Sequence, residues 1–249
     1  MSVKFEIMQI DERLDIEMTE RGLVQSRGEA QRLIENKRVR LNGVVETRSH
    51  KIVKEGDEIS VDFANVFVSR GGDKLKHAID NFKILVKDFV CLDVGSSTGG
   101  FTDCLIQNGA SKVYSVDVGE DQLIEKLKKD KRVVSIEKTD IRKLELLPEL
   151  VDLIVIDVSF ISVTKILSFL KKFLKEKGQV VLLIKPQFEI VQNKDRKGKI
   201  NDEKLVEEVI ENIKKEIEKE GYMILGLVES PILGKKGGNV EYLIYFERK

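Results

Sequence analysis

The chain has 249 residues, 41% of them hydrophobic and 35% charged, enough for a sizeable core and for two domains of unequal size. Its 43 Lys and Arg balance 43 Asp and Glu, so the net charge is zero and any basic surface for a polyanion must be local. Apolar runs such as 180–184 are far too short to span a bilayer, nothing near the start reads as a signal peptide, and Cys91 and Cys104 lie in apolar surroundings without zinc-ligand spacing, which together point to a cytoplasmic protein with free thiols and no metal.

Residues 1–63 read as a small α/β module. The stretch DERLDIEMTERGL predicts a helix stopping at Gly22. Ser26 and Glu29 form a capping-box pattern, and the helix after them places Ala30, Leu33 and Ile34 on one face. Asn42-Gly43, between VRL and VVE, is a type I′ hairpin signal, and GDEISVDF adds a further strand. Residues 21–40 carry Arg21, Arg27, Arg32, Lys37, Arg38 and Arg40 against only Glu29 and Glu35, a cluster suited to phosphate contact. Residues 64–73 are expected to be a linker ending in Gly71-Gly72, with Arg70 extending the basic track.

From residue 74 to 249 the pattern changes. FVCLDVG, KVYSVDVG, RVVSIEK, VDLIVIDVS and GQVVLLIKP are apolar strands with helical segments between most of them, the signature of a parallel sheet covered on both faces. One amphipathic helix is predicted over 162–178, stopping at Gly178, and another ends at Gly221. YMILGLVES and VEYLIYFER are two final strands in antiparallel arrangement. Residues 192–204 form a polar loop whose Lys194, Arg196, Lys197 and Lys199 continue the basic track. The expected class is α/β, a Rossmann-like domain behind a small N-terminal α/β domain.

The glycine loop of CLDVGSSTGGFTD selects its ligand by exclusion. A phosphate-cradling loop would end in Lys followed by Ser or Thr, and a dinucleotide loop would read G-x-G-x-x-G. Neither occurs, and Asp93 just before the loop would repel a pyrophosphate. A carboxylate there suits a cation, such as the ammonium and sulfonium of S-adenosylmethionine. Gly95, Gly99 and Gly100 let backbone approach the ligand; Ser96, Ser97, Thr98 and Phe101 complete the loop. Asp117, with Val118 beside it, ends the next strand where a carboxylate can accept both ribose hydroxyls. Asp140, followed by Ile141, is placed to accept from the adenine amino group. The alternative is that these acids cap turns.

Two further strands end in charge, Asp157 in LIVIDVSF and Lys185 in VLLIKPQFE. Lys185, between Ile184 and Pro186, is expected to be desolvated and so to serve as a proton acceptor; a structural salt bridge with Asp157 is the alternative. Phe160 and Phe188 follow closely, either as core or as surfaces for an unstacked base.

The motifs RLD, QRLIENKRVRLNG, FVSRGGDKL, CLDVGSSTGGFTD, VDVG, VIDVSFIS, IKPQFE and GNVEYL run along essentially the whole chain, which resembles the TlyA family of ribosomal-RNA 2′-O-methyltransferases, often labelled hemolysins. The resemblance implies an S-four type RNA-binding module, to which RLD adds Arg13, ahead of an FtsJ-like domain that uses S-adenosylmethionine. It also implies a catalytic set of Lys74, Asp157, Lys185 and Glu241. In that set Lys185 accepts the proton and Asp157 orients it and helps bind the donor. Lys74 and Glu241 position the ribose and balance charge, Lys74 also disfavouring protonation of Lys185. The implied partner is ribosomal RNA within ribosomal subunits, a cytidine ribose, with the large subunit favoured and the small one open, for a protein that is a monomer or weak dimer. Two departures stand out: Ser96 where the family usually has Ala, and a divergent stretch after KPQFE that bears on substrate range. An RNA-binding assembly factor with little catalysis, and a membrane-active hemolysin, are the alternatives.

Overall fold

The computed structural model describes residues 11–24, 26–62, 66–190, 199–200, 202–234 and 238–249. Its contacts divide the chain into two compact units, 1–66 and 67–249.

The first unit runs β1 (Glu12–Arg13), α1 (Leu14–Glu20), α2 (Arg27–Glu35), β2 (Val39–Leu41), β3 (Val44–Val45), β4 (Ile52–Val53) and β5 (Ile59–Val61). The chain leaves α1 through Gly22, whose φ of +67° is one that other residues adopt only at a cost. α2 begins at Ser26, whose Oγ accepts from the Glu29 amide at 3.3 Å, the N-cap the sequence predicts. Asn42 and Gly43 both have positive φ and join β2 to β3 in the two-residue turn expected of them. Leu14, Met18, Ala30, Leu33, Ile34, Val39 and Val53 make the core.

The second unit contains α3 (Arg70–Phe82), β6 (Val90–Val94), α4 (Gly100–Gln107), β7 (Lys112–Val116), α5 (Glu125–Lys128), β8 (Val133–Ile136) and β9 (Val151–Ile156). It continues with α6 (Thr164–Leu170), β10 (Leu174–Ile184), α7 (Pro186–Glu189), α8 (Glu203–Lys219), β11 (Tyr222–Glu229) and β12 (Tyr242–Arg248). The strands form one sheet in the order β11-β12-β10-β9-β6-β7-β8, parallel except for β12, which is antiparallel to both neighbours. Ile154, Ile156, Val180 and Leu182 face one core with α6 and α8; Leu153, Val155, Val181 and Leu183 face the other with α3 and α4. Burial on both faces is why these strands read as unbroken apolar runs.

The first helix, expected from Asp11, begins at Leu14, because Glu12 and Arg13 pair with Val53 and Ile52 as β1. Two boundaries of the second unit also differ from expectation. The helix predicted to reach Gly178 ends at Leu170, and Leu174 already pairs with Val151. Leu170, Phe173 and Leu174 are all buried, and apolar spacing over so short a run does not separate a buried helix from a buried strand. At the other boundary, Arg70–Asp73, expected in the linker, are the first turn of α3. Gly71 and Gly72 serve close packing there: a Cβ on Gly72 would strike the Phe67 ring.

Candidate active site

The sheet order brings the chemistry to one edge. Asp93 lies near the carboxyl end of β6, Asp157 directly follows β9, Lys185 directly follows β10, and Glu241 directly precedes the antiparallel β12. Ile184 pairs with Tyr242, so Lys185 and Glu241 leave the sheet side by side, and the Asp157 amide donates to Val94 O at 3.0 Å.

Asp93 is fully buried. Its Oδ2 accepts from Thr102 Oγ1 at 2.6 Å, and that hydroxyl lies 2.7 Å from Ser115 Oγ. Its Oδ1 has no hydrogen-bond partner among the described residues. Burial pushes the Asp93 pKa up to about 7, Asp157 and Asp117 adding to the shift and the Thr102 hydrogen bond opposing it. A dry carboxylate oxygen without a donor is costly unless a cation meets it, and the ammonium of S-adenosylmethionine fits that need.

Asp117 is half-buried and braces the loop: Oδ2 accepts from the Ser97 amide at 2.8 Å and Oδ1 from the Gly119 amide at 2.7 Å. Ribose hydroxyls would use the second lone pair of each oxygen. Val118 is exposed beside it, as are Ser97 and Thr98, while Ser96 is buried. The glycines also meet the protein's own backbone. A Cβ on Gly95 would lie 2.5 Å from Asp157 O, and one on Gly100 would lie 3.0 Å from the Gly72 nitrogen. Gly99 starts α4 at φ +97°. Gly95 and Gly100 thereby let the loop close onto the end of β9 and onto α3. Phe101 and Ile141 are core side chains, leaving only their backbone for a ligand. Both Asp140 oxygens accept from Arg142, at 2.5 Å for the closest contact, and this pairing holds the Asp140 carboxyl at about 2. That is turn-capping chemistry, and a purine amino group would have to share those oxygens.

The four candidate catalytic groups form two ion pairs. Lys74, from the first turns of α3, meets Glu241 Oε2, and both side chains are nearly buried. Lys185 Nζ lies against Asp157 Oδ1 as an ion pair rather than an aligned hydrogen bond, and donates to Ser159 Oγ at 3.1 Å. Lys185 is largely withdrawn from solvent, and Asp157 reaches it from the adjacent strand, a contact common to the orienting role and to the salt-bridge alternative. Lys74, neutralised by Glu241, does not stand as a free charge either. Phe160 is 81% exposed with a φ of +66°, unusual for so bulky a residue, and its ring centroid is 5.0 Å from that of Phe188.

Several site residues escaped sequence reading. Asp103 accepts from the Val68 amide at 2.9 Å, tying the entry of α3 to α4. Gln187 donates to Glu241 Oε1 at 3.0 Å. Their partners are 35 and 54 residues away, beyond any local signal.

In the first unit, fully buried Asp15 organises the basic side chains. It accepts from Arg13 at 3.0 and 3.1 Å, from Arg27 at 3.2 Å and from Gln31 at 2.6 Å. Arg38 pairs with Asp62 at 2.9 Å, Arg40 donates to Gly43 O at 3.1 Å, and Lys37 is exposed with positive φ. Arg32 and Arg70 are half-exposed. Lys194, Arg196 and Lys197 lie outside the described residues.

Six parallel strands with an antiparallel seventh, a glycine loop after β6 and a dry carboxylate beneath it define a Rossmann-like S-adenosylmethionine-dependent methyltransferase. The FtsJ-like methyltransferase model matches residues 67–248 and the S4 domain model residues 12–59. With that pairing, the chain belongs to the TlyA family of FtsJ-like methyltransferases. Hemolysin A of Brachyspira hyodysenteriae is 45% identical to it, covering 94% of this chain and 99% of its own length. The 16S/23S rRNA (cytidine-2′-O)-methyltransferase TlyA of Mycobacterium tuberculosis is 37% identical over 94% of this chain and 88% of its own. A solved structure from Streptococcus thermophilus, labelled a candidate hemolysin, superposes with a TM-score of 0.72 at 38% identity, covering 96% and 88% of the two chains.

Proposed function

We propose that the protein transfers a methyl group from S-adenosylmethionine to the 2′-hydroxyl of a cytidine ribose in ribosomal RNA, with Lys185 as proton acceptor. The observation that carries this reading is the Lys185 amine at the end of β10, held between Asp157 and Ser159, with only β9 between it and the β6 end that bears Asp93 and the glycine loop. When bound, S-adenosylmethionine supplies a methyl group on a sulfonium, ready for attack. An alcohol is a poor nucleophile until its proton leaves, so a positioned base is needed. In this reading Lys185 Nζ first releases to solvent the proton it holds in the ion pair and then takes the hydroxyl proton, while Asp157 orients the amine and stabilises the ammonium that forms again. The Lys74–Glu241 pair, on the neighbouring element, positions the ribose without adding net charge. Phe160, exposed in a strained conformation, offers its ring to a base taken out of its stack.

The arginines around Asp15 hold the RNA through phosphates. The substrate is a ribosomal subunit, the large one favoured, and the protein works as a cytoplasmic monomer or weak dimer. The M. tuberculosis relative's activity supports the substrate class. The hemolysin label of other relatives finds no support in a spanning segment: among the described residues no helix is long and apolar enough to cross a membrane.

The test incubates the protein with labelled S-adenosylmethionine and separated, unmodified ribosomal subunits and maps the label by nuclease digestion. Label on one ribose is expected, with Lys185→Ala losing about 10²–10⁴-fold in rate while donor affinity changes by less than about threefold. Donor affinity falling in step with rate would remove Lys185 from the proton-acceptor role.

A further inference from the structure

The single turn α7 begins directly after Lys185, and three consecutive side chains of it reach three parts of the site. Gln187, buried, donates from Nε2 to Glu241 Oε1, the oxygen that Lys74 does not use. Phe188 packs against Phe160 and lies 5.8 Å from Lys185 Nζ. Glu189 Oε1 accepts from the Val163 amide at 2.9 Å, fixing the far end of the segment that carries Asp157 and Ser159.

The orientation of the Gln187 amide follows from its partner. An ionised carboxylate only accepts, so Gln187 presents its nitrogen to Glu241, and its Oε1 is left buried with no partner among the described residues. An unsatisfied buried carbonyl is a cost, accepted here for the sake of the Glu241 contact. Gly234 makes room for that contact: a Cβ there would lie 2.6 Å from Glu241 Oε1 and 3.2 Å from Gln187 Nε2. A lysine is a point charge with freely rotating donors, and the terminal torsion of a glutamate is broad. Lys74 alone therefore leaves the Glu241 carboxylate free to turn, and a second, directional donor on the other oxygen stops it.

We propose that Gln187 is a positioning residue of the catalytic set. Its amide fixes the plane of Glu241, so that the Lys74 ammonium points at one place, and it ties that pair through the α7 turn to Lys185. The inference rests on the ribose 2′-O-methyl transfer proposed above and names a fifth participant in it.

Gln187→Met keeps the length and removes the donor. Its kcat on ribosomal subunits should fall about 10–100-fold, the effect of a small misplacement, with KM for RNA and donor affinity within about twofold of wild type. Gln187→Glu supplies a titration signature: its protonated carboxyl donates to Glu241, whereas its ionised form repels it. The ratio of its kcat to that of wild type should fall as pH rises from 5 to 8, while the same ratio for Gln187→Met stays level. A residue that only fills space would lower the melting temperature and give both variants level ratios. Wild-type kcat in Gln187→Met, or a level ratio in Gln187→Glu, overturns the inference; should Gln187→Met not fold, the Gln187→Glu ratio decides alone. Failure of the underlying reading looks different, because wild-type protein would then place no label on ribose, and the inference would go with it.

Discussion

Asp93 and Asp15 are both buried acids, and their surroundings send them in opposite directions. Asp93 has one donor and a bare oxygen, and burial raises its pKa from 3.8 to about 7. Between those values the folded protein holds the proton more tightly than the unfolded chain. The contribution of Asp93 to stability therefore falls as pH rises from about 4 to about 7 and then levels off. The ionised form is the one that can hold an ammonium, so donor affinity should climb over the same interval. Asp93→Asn is expected to raise the melting temperature of the donor-free protein at pH 8, to do little at pH 4, and to weaken donor binding at least tenfold. Melts at both pH values and calorimetric titration with S-adenosylmethionine check this; an unchanged affinity would remove Asp93 from the donor site. Asp15 is the reverse case. Burial alone would raise its pKa, but hydrogen bonds from Arg13, Gln31 and Arg27 outweigh burial and hold it at about 2. It stabilises the fold above pH 4, and that contribution is lost as pH falls towards 2. Asp15→Asn makes the unit more positive, which on charge alone should tighten RNA binding. The geometry argues for weaker binding, because Arg13 and Arg27 lose the carboxylate that holds them in place. Their 39% and 53% exposed side chains would rehydrate, so the loss of stability should be modest, about 1–3 kcal/mol. Filter binding at fixed salt and a denaturant melt separate the two arguments.

Between β6 and α4 the glycine loop sets the distance between donor site and catalytic groups. Gly95 combines a φ of +84° with Asp157 O only 2.5 Å from a would-be Cβ, and that oxygen is backbone that cannot swing aside. Gly95→Ala should therefore cost about 1–3 kcal/mol in stability and displace Asp157. The expected result is a rate loss larger than the loss of donor affinity, measured by single-turnover transfer and calorimetry. The loop itself is legible in the sequence, but the packing of Gly95 against Asp157 and of Gly100 against Gly72 is not, because a glycine's need for space does not reveal which protein groups lie against it. Local patterns carried the strands, the Asn42-Gly43 turn and the Ser26 cap, since each depends on neighbours within a few residues. The end of α6 is not visible in the sequence, because the apolar run through Phe173 and Leu174 fits a buried helix as well as a buried strand. Nor are the hydrogen bonds of Asp103 and Gln187, which form only after the sheet has been ordered. The sequence allows the pairing of Lys185 with Asp157 without requiring it, since both residues sit at strand ends whose adjacency is a property of the sheet.

Zero net charge makes the attraction for RNA a question of distribution. A uniformly basic protein would lose affinity with salt whichever arginine was removed. Here 43 positive and 43 negative groups cancel over the chain, and many lysines of the second unit are paired, among them Lys112 with Glu149 and Lys175 with Asp152. The first unit as a whole has slightly more acids than bases, and its positive charge is local: residues 21–40 hold six Lys and Arg against two Glu, Arg13 and Arg27 are half-exposed over a single buried acid, and Lys37 and Arg40 are exposed. Each phosphate neutralised contributes about 0.7–0.9 to the slope of log affinity against log salt. Removing one contacting arginine should lower that slope by about one, and should weaken binding alike across RNA sequences, because phosphate contacts position without reading bases. Arg27→Ala and Arg40→Ala are each expected to do so, with kcat at saturating RNA unchanged because neither residue belongs to the second unit. Lys112→Ala, of similar charge but in the second unit and outside the 21–40 cluster, is expected to leave the slope as it is. Affinities measured from 50 to 300 mM salt give the answer. Equal slopes for all three variants and wild type would mean that the RNA is held elsewhere, by the methyltransferase unit itself.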